Sequence, residues 1–379
     1  MNADRHQERL ARVALCRLTE PGDPRLTGLV SQLGAVRVHE HLADERDLEG
    51  MLTDVAGRLA GLDPERDLDH ASRLGIRFVI PGDPEWPAQL HDLDHCDSLQ
   101  ERGGAPLGLW VKGPLRLGEQ RESVAVVGAR SATTYGAEVA GAIAAEVAGA
   151  GLCVVSGAAF GIDNAAHRGA LAGRGSTIAV LACGVDRVYP AAHRQLLEHL
   201  AAHGAVVSEL APGCAPTKHR FLARNRIIAA LARGTVVVEA AVRSGALNTA
   251  NWTDRLSRRL MGVPGPVTSA PSAGVHQLIR TGAASLVTSG ADVLEQLGAA
   301  GDHALADPRA ELRPRDRLRR RDAQVLDAVP VSSPAAADSI SRAAGVGLVE
   351  TQSALGRLAR DGFAVQTTAG WLLGPTGRS

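Results

Sequence analysis

The chain runs to 379 residues, enough for two or three domains around at least one sizeable core. Its 41 Lys and Arg balance 41 Asp and Glu, which argues against a protein that coats nucleic acid indiscriminately; any polyanion must be held by a local cluster. Aromatics make up only 3% of the chain, so each exposed ring is a candidate for a specific task. Lys112 and Lys218 are the only lysines, and the remaining positive charge is arginine. Cys16, Cys96, Cys153, Cys183 and Cys214 are scattered without a C-x-x-C pair, a pattern of a reduced compartment with no disulfide scaffold and no metal site. No apolar run reaches about 18 residues and the amino terminus leads into no signal-peptide core, so a soluble cytoplasmic protein without membrane association is expected.

From about Glu8 to Arg73 apolar residues recur at helical spacing, broken at Pro21-Gly-Asp-Pro24, Gly34 and Gly61-Leu-Asp-Pro64. This predicts a small helical domain over 1–75 whose Leu-rich faces read as core. Ile76-Arg-Phe-Val-Ile80 is a short strand pattern, and an irregular connection then leads to Leu107-Gly-Leu-Trp110-Val111. From Ser123 strand runs alternate with helical segments: Val124 to Val127, Leu152 to Ser156, Thr177 to Leu181, Ala205 to Ser208, Thr235 to Val238 and Leu260 to Val263. Such alternation predicts an α/β fold, a Rossmann-like and mostly parallel sheet with helices on both faces, over 76–300. Arg309 to Arg321 holds seven arginines and no apolar stripe, so 301–321 is expected to be an Arg-rich linker. Beyond it, over 322–379, helices are predicted at Asp322 to Ala328, Ala335 to Ala343 and Leu348 to Arg360, followed by a strand pair at Phe363 to Gln366 and Trp371 to Leu373. Three short helices and a hairpin suggest a winged helix. Its third helix exposes Glu350 and Gln352 beside Arg357 and Arg360, weak equipment for reading a groove, so DNA recognition and protein contact both stay open.

In an open α/β sheet ligands bind at the carboxyl edge, where helix starts offer free N–H groups and the positive end of the dipole. Val124-Ala-Val-Val-Gly128-Ala-Arg130-Ser131 is such a strand-to-turn passage. The dinucleotide fingerprint needs glycine where Arg130 stands; a guanidinium there blocks a cradled pyrophosphate but can fork onto the phosphates of a longer, more exposed anion. Further strand ends carry Ser156-Gly157, Cys183-Gly184-Val-Asp186, Ser208-Glu209 and Val238-Glu239, and Ser244-Gly245-Ala-Leu-Asn-Thr249 is another helix entry with hydroxyl donors. Lys218-His-Arg220-Phe221-Leu-Ala-Arg224-Asn225-Arg226 gathers four cations and an aromatic in nine residues. Cations meet phosphates and one Phe can stack under a base without reading it; the competing reading is an amphipathic helix with Phe221 in the core and solvated charges. Asp163, Asp186, Glu209 and Glu239 lie near the same edge, where helix capping or the orientation of an Arg is commoner than acid–base catalysis. No P-loop, H-E-x-x-H, G-x-S-x-G or metal-spaced cluster occurs, so neither a cofactor nor a metal is expected.

Val-Gly-x-Arg with Tyr135-Gly136, Ser156-Gly157-Ala-Ala-Phe-Gly161-Ile-Asp163-Asn-Ala-Ala-His167, Gly184-Val-Asp186-Arg-Val-Tyr189-Pro190, Arg224-Asn225-Arg226-Ile-Ile and Val238-Glu239-Ala followed by Ser244-Gly245-Ala-Leu-Asn-Thr249-Ala run in this order between about Asp83 and Leu297. This set resembles the DNA-processing protein A (DprA/Smf) family. The resemblance implies an extended Rossmann domain, preceded by a SAM-like helical domain and followed by a winged helix, that dimerises, binds single-stranded DNA in a basic pocket and helps load the RecA recombinase. By position the pocket would include Arg130, Ser131, Lys218, a base-contacting Phe221, and Arg224-Asn225-Arg226; the strand-end reading adds Gly128, Ser156, Gly157, Ser244, Gly245 and Thr249. The sequence departs from the family at His193 and His276, where asparagine is usual. The resulting expectation is a non-enzymatic mediator that protects single-stranded DNA in natural transformation or repair, with single-stranded DNA and RecA as partners and a homodimer as its assembly. The rival is a nucleoside-monophosphate glycosidase of the lysine-decarboxylase-like group, whose Pro-Gly-Gly-x-Gly-Thr signature is absent near Glu239. A bare RecA adaptor would leave Lys218 to Arg226 unexplained.

Overall fold

The structure, a computed structural model, describes residues 2–45, 53–298 and 313–377. Residues 301–312 of the expected linker, Arg309 among them, lie outside the described residues. The chain forms two compact units, Met1–Leu305 and Ala306–Ser379.

Among the described residues the first unit begins with five helices, α1 (Asn2–Leu18), α2 (Pro24–Leu33), α3 (Ala35–Ala43), α4 (Asp54–Ala60) and α5 (Pro64–Arg73). The Pro-Gly-Asp-Pro break works as a helix start: Pro24 opens α2 and the Asp23 carboxylate accepts the Arg25 N–H at 2.9 Å. The helices are tied down by arginines. Arg17 grips Asp67 through two 2.8 Å bonds, and Arg9 reaches Asp83 beyond the first strand at 3.0 Å.

The sheet follows: β1 (Ile76–Val79), β2 (Leu109–Lys112), β3 (Ser123–Val127), β4 (Cys153–Ser156), β5 (Thr177–Val180), β6 (Ala205–Ser208), β7 (Gly234–Val237), β8 (Arg259–Gly262) and β9 (Ser285–Leu286), in the spatial order β1-β2-β6-β5-β4-β3-β7-β8-β9. β1 and β2 are antiparallel additions at one edge; the seven strands from β6 to β9 are parallel. The fold is therefore the mostly parallel α/β sheet that the alternation predicts. Intervening helices are α6 (Thr134–Gly149), α7 (Ile162–Ala172), α8 (Arg194–His203), α9 (Lys218–Leu231), α10 (Gly245–Arg255), α11 (Ala273–Arg280) and α12 (Gly290–Leu297). Alternate residues of β3 separate the two layers. Val124 and Val126 pack with Ile143, Ile162 and Val293 of α6, α7 and α12, while Ala125 and Val127 pack with Ile227, Ile228 and Trp252 of α9 and α10.

The chain steps outward from β3 to β6 and then returns to place β7 on the other side of β3, in register Val124↔Gly234 through Val127↔Val237. That reversal is the topological switch point, and the crevice outside the carboxyl ends of β3 and β7 is where such a sheet takes ligands.

In the second unit α13 (Arg320–Asp327), α14 (Ala337–Ala344) and α15 (Leu348–Arg360) enclose a small core with the antiparallel pair β10 (Ala364–Thr367) and β11 (Gly370–Leu373). Arg357 of α15 is held by Asp322 at 2.6 Å and Glu350 pairs with Arg321 at 3.4 Å. Two of the four polar residues expected on the exposed face of α15 are thus engaged within the unit.

Candidate functional site

At the switch point a cavity of about 880 Å³ opens between the turns after β3 and β7 and the start of α9. Of the thirteen residues singled out from the sequence, Gly128, Arg130, Ser131, Lys218, Phe221, Arg224, Asn225, Ser244, Gly245 and Thr249 line it.

The turn after β3 is packed against its neighbours. A Cβ at Gly128 would lie 2.5 Å from Ile162 and 2.9 Å from the Glu239 carbonyl, so only glycine lets the turn pass. Gly161, at φ +75, brings the turn after β4 alongside, and Ile162 N–H donates to the Ala129 carbonyl at 3.2 Å. The start of α6, the helix this turn feeds, is already occupied. Glu239 Oε2 accepts the Thr133 N–H at 3.0 Å and its Oε1 accepts the Thr133 hydroxyl at 2.6 Å, while Thr133 Oγ1 accepts the Gly136 N–H at 3.0 Å. Glu239 is therefore a cap borrowed from the neighbouring strand end, and its charge offsets the dipole end that a phosphate would use. Positive charge on this turn comes from the exposed Arg130, which forms no ion pair among the described residues. Besides the start of α9, the start of α10 faces the cavity: Ser244 Oγ accepts the Ala246 N–H at 3.3 Å, and Ser244, Gly245, Ala246 and Thr249 form one wall.

Helix α9 sorts the cationic cluster. From Ala223 to Leu231 every residue is buried, because the helix runs into the layer between sheet and α10 and no face is left for solvent. Lys218, in the first turn, is exposed at the cavity mouth and forms no ion pair among the described residues. Arg220 is turned away and clamped by Glu20 through bonds of 2.9 and 2.7 Å. Arg224 is buried in the floor, donates to the Val180 carbonyl and keeps its Nε unpartnered. Burial, with the charge of Arg130 adding to it, pushes its pKa down to about 10, so it stays charged at neutral pH. Asp163 lies beside it; burial raises this carboxyl above the usual range while Arg224 pulls the other way.

Phe221 is half-buried and lines the cavity, so it is not a core residue. The Arg130 guanidinium sits over its ring at 4.4 Å from the centroid, the Arg224 guanidinium at 5.8 Å, and the Tyr189 ring 5.8 Å away at 53°. Asn225 has a positioning role: its amide donates to the Gly245 carbonyl at 3.3 Å and to Asn248 Oδ1 at 3.2 Å, tying α9 to the start of α10.

Three expected site residues do not reach the cavity. Arg226 is fully buried and makes a two-pronged pair with Glu209, 2.7 Å on each prong, because two residues beyond Arg224 it emerges about 200° round the helix, on the side away from the cavity. The Ser156 hydroxyl is buried at the end of β4 and donates to the Val126 carbonyl at 2.7 Å. Gly157 makes room for Arg224, whose guanidinium a Cβ there would strike, and borders an adjoining recess instead. Asp163, expected near this edge, does line the cavity, whereas sequence reasoning missed Tyr189 and Arg243 as cavity residues; the signal for Arg243 was a cation just before the Ser244 cap. His193 and His276, the two departures from asparagine, make bonds to backbone carbonyls, His193 to Ala158 in the turn after β4 at 2.9 Å and His276 to Gly265 at 3.0 Å.

The site thus offers cations without an ion pair among the described residues (Arg130, Lys218, Arg243) around a partly exposed ring, a dipole end at α10, and buried carboxylates committed to positioning. It is equipped to hold phosphates beside a flat, uncharged group.

Residues 77–298 match the family of DNA recombination-mediator protein A. The DprA-type DNA processing protein of Mycobacterium tuberculosis is 43% identical, over 91% of this chain and 88% of its own length. Among solved structures, DNA processing protein A of Streptococcus pneumoniae superposes with a TM-score of 0.63 at 33% identity, covering 77% of this chain and 98% of that one. DNA processing protein A of Helicobacter pylori, whose structure describes a single-stranded DNA binding mode, gives a TM-score of 0.51 at 25% identity over 59% of this chain and 95% of that one.

Proposed function

The chain belongs to the DNA recombination-mediator protein A family, and from that premise we propose that it binds single-stranded DNA at the switch-point cavity as a non-enzymatic mediator of recombination. The observation that carries this reading is Phe221 standing half-exposed between unpaired Arg130 and Lys218: a ring that stacks on any base, flanked by cations for the phosphates on either side of it. Ser131, Ser244 and the α10 start add neutral donors to the same wall. On this reading the protein acts in the cytoplasm as a homodimer, shields single strands and helps deliver them to RecA during transformation or repair. Among the described residues no helix is long and apolar enough to cross a membrane. The Arg-rich segment and the second unit, read as a winged helix, serve as accessory contacts.

Titrating labelled oligo-dT against duplex DNA at several salt concentrations tests the proposal. Single strands should bind tighter than duplex, and Arg130→Ala and Lys218→Ala should each weaken binding across sequences while flattening the salt slope by about one phosphate's worth. Equal affinity for duplex, or an unchanged slope in both variants, would place the phosphates elsewhere.

A further inference from the structure

Three aromatic side chains are exposed among the described residues, in a chain where aromatics are scarce: Tyr135, Phe160 and Tyr189. Tyr135 has a local job, its hydroxyl donating to the Pro264 carbonyl at 2.5 Å. Phe160, 49% exposed, and Tyr189, 43% exposed, have none that requires a ring in solvent. An apolar ring left in water costs stability, and two of them bordering one recess is an arrangement that needs a reason.

Both line the recess next to the main cavity, together with Arg130 and Phe221; Arg130, Phe221 and Tyr189 border the two cavities in common, and Phe160 borders the recess alone. The recess floor is built from small, uncharged residues, Gly157, Ala158, Ala159 and Ala182, so the rings and Arg130 stand over an apolar bed. The backbone sets them there: the turn carrying Phe160 is held against the Arg130 turn through Gly161, and Tyr189 follows the end of β5. The His193 ring packs against Phe160 in a T-shaped pair, centroids 4.8 Å apart at 66°, and Phe160 still stays 49% exposed. The Tyr189 and Phe221 planes differ by 53°, so one flat base cannot lie on both.

Resting on the reading of the main cavity as a single-strand site, we propose that Tyr189 and Phe160 form a second base-stacking position, so that a strand with one base at Phe221 passes Arg130 and lays a neighbouring base over the recess after β5. Arg130 then faces the phosphate between two stacked bases, which accounts for its sharing both cavities. The position reads no sequence, since every base has a face to stack.

The test uses the full-length chain and oligo-dT carrying a single 2-aminopurine at successive positions. Tyr189→Ala and Phe160→Ala should each weaken long oligo-dT by at least about fivefold, the lower end of what one stacked base contributes. The salt slope should not move, because no phosphate contact is removed, and the loss should vanish with oligonucleotides too short to reach past Phe221. Two quenched 2-aminopurine positions are expected in the parent protein, and only one in either variant. Tyr189→Phe keeps the ring and should bind as the parent does, which separates stacking from misfolding. The proposal is overturned if both alanine variants bind normally while Phe221→Ala and Arg130→Ala lose affinity. If Phe221→Ala and Arg130→Ala bind normally as well, the reading of the main cavity falls with it.

Discussion

Replacing Arg226 by alanine should damage stability and leave the DNA-binding surface of the folded protein intact. The guanidinium is wholly inaccessible and Glu209 is only 7% exposed. Beyond the two 2.7 Å bonds to Glu209, Arg226 donates to the Gly104 carbonyl at 3.1 Å and the Ala223 carbonyl at 3.2 Å. Removing one member of such a pair strands the other as an uncompensated buried charge, a loss of about 3–5 kcal/mol. An unfolding entropy of about 2.1 cal/mol/K per residue over the roughly 300 residues of the first unit turns that loss into a fall in Tm of about 5–8 °C. Arg226→Met combined with Glu209→Leu removes both charges and should recover much of the loss, as replacement of whole buried pairs does. Thermal melting followed by circular dichroism supplies the first quantity, and oligo-dT titration well below the lowered Tm supplies the second. An Arg226→Ala protein with parental Tm and lost affinity would refute the reasoning and put Arg226 on the DNA.

Deleting everything after Leu297 should leave single-strand binding mostly intact, whereas Phe221→Ala in the full-length protein should do more damage near physiological salt; the reverse order in a side-by-side titration would make the second unit the DNA-binding module. His167 gives a pH signature. Its Nδ1 donates to Thr177 Oγ1 at 2.7 Å, since that hydroxyl already donates to the Val154 carbonyl, and burial, aided by His193 and Arg224, pushes its pKa from 6.5 down to about 3. As pH falls below about 6.5 the unfolded chain takes up a proton that the folded chain refuses, so stability erodes between 6.5 and about 3. His167→Asn should flatten that part of the stability profile in denaturant unfolding, and an identical profile would contradict the assignment. Incubation with nucleoside monophosphates should release no free base, and Glu239→Gln should cost about 1 kcal/mol of stability as a weakened cap; base release that disappears in Glu239→Gln would revive the glycosidase reading.

Much of the fold is a local property of this chain, legible because most of the parallel strands announce themselves as short aliphatic runs, β3 and β4 ending in a glycine turn. Val124 to Val127, Ala205 to Ser208 and the helix from Leu348 to Arg360 lie where the patterns place them to within a residue. The two-residue β9 escaped, since Ser285-Leu286 is too short for any period. The turn glycines were readable for the same reason, as backbone demands written at single positions. What a charged or aromatic side chain does was not, because that depends on partners far along the chain. Lys218, Arg220, Arg224 and Arg226 look alike within nine residues, yet Glu20 claims the second, burial beside Asp163 the third and Glu209 the fourth, leaving Lys218 for solvent. Helical spacing could not sort them, since the buried part of α9 has neighbours on every side and no polar face to mark. Ser156 resembled a ligand donor until the packing of β4 on β3 turned its hydroxyl toward Val126, and Glu239, expected to cap a helix or orient an Arg, found its helix only when β7 came to rest beside β3 and handed it the start of α6. The type of site was written in the residues; which of them face the cavity was decided by strand order and burial, and those exist only once the chain has folded.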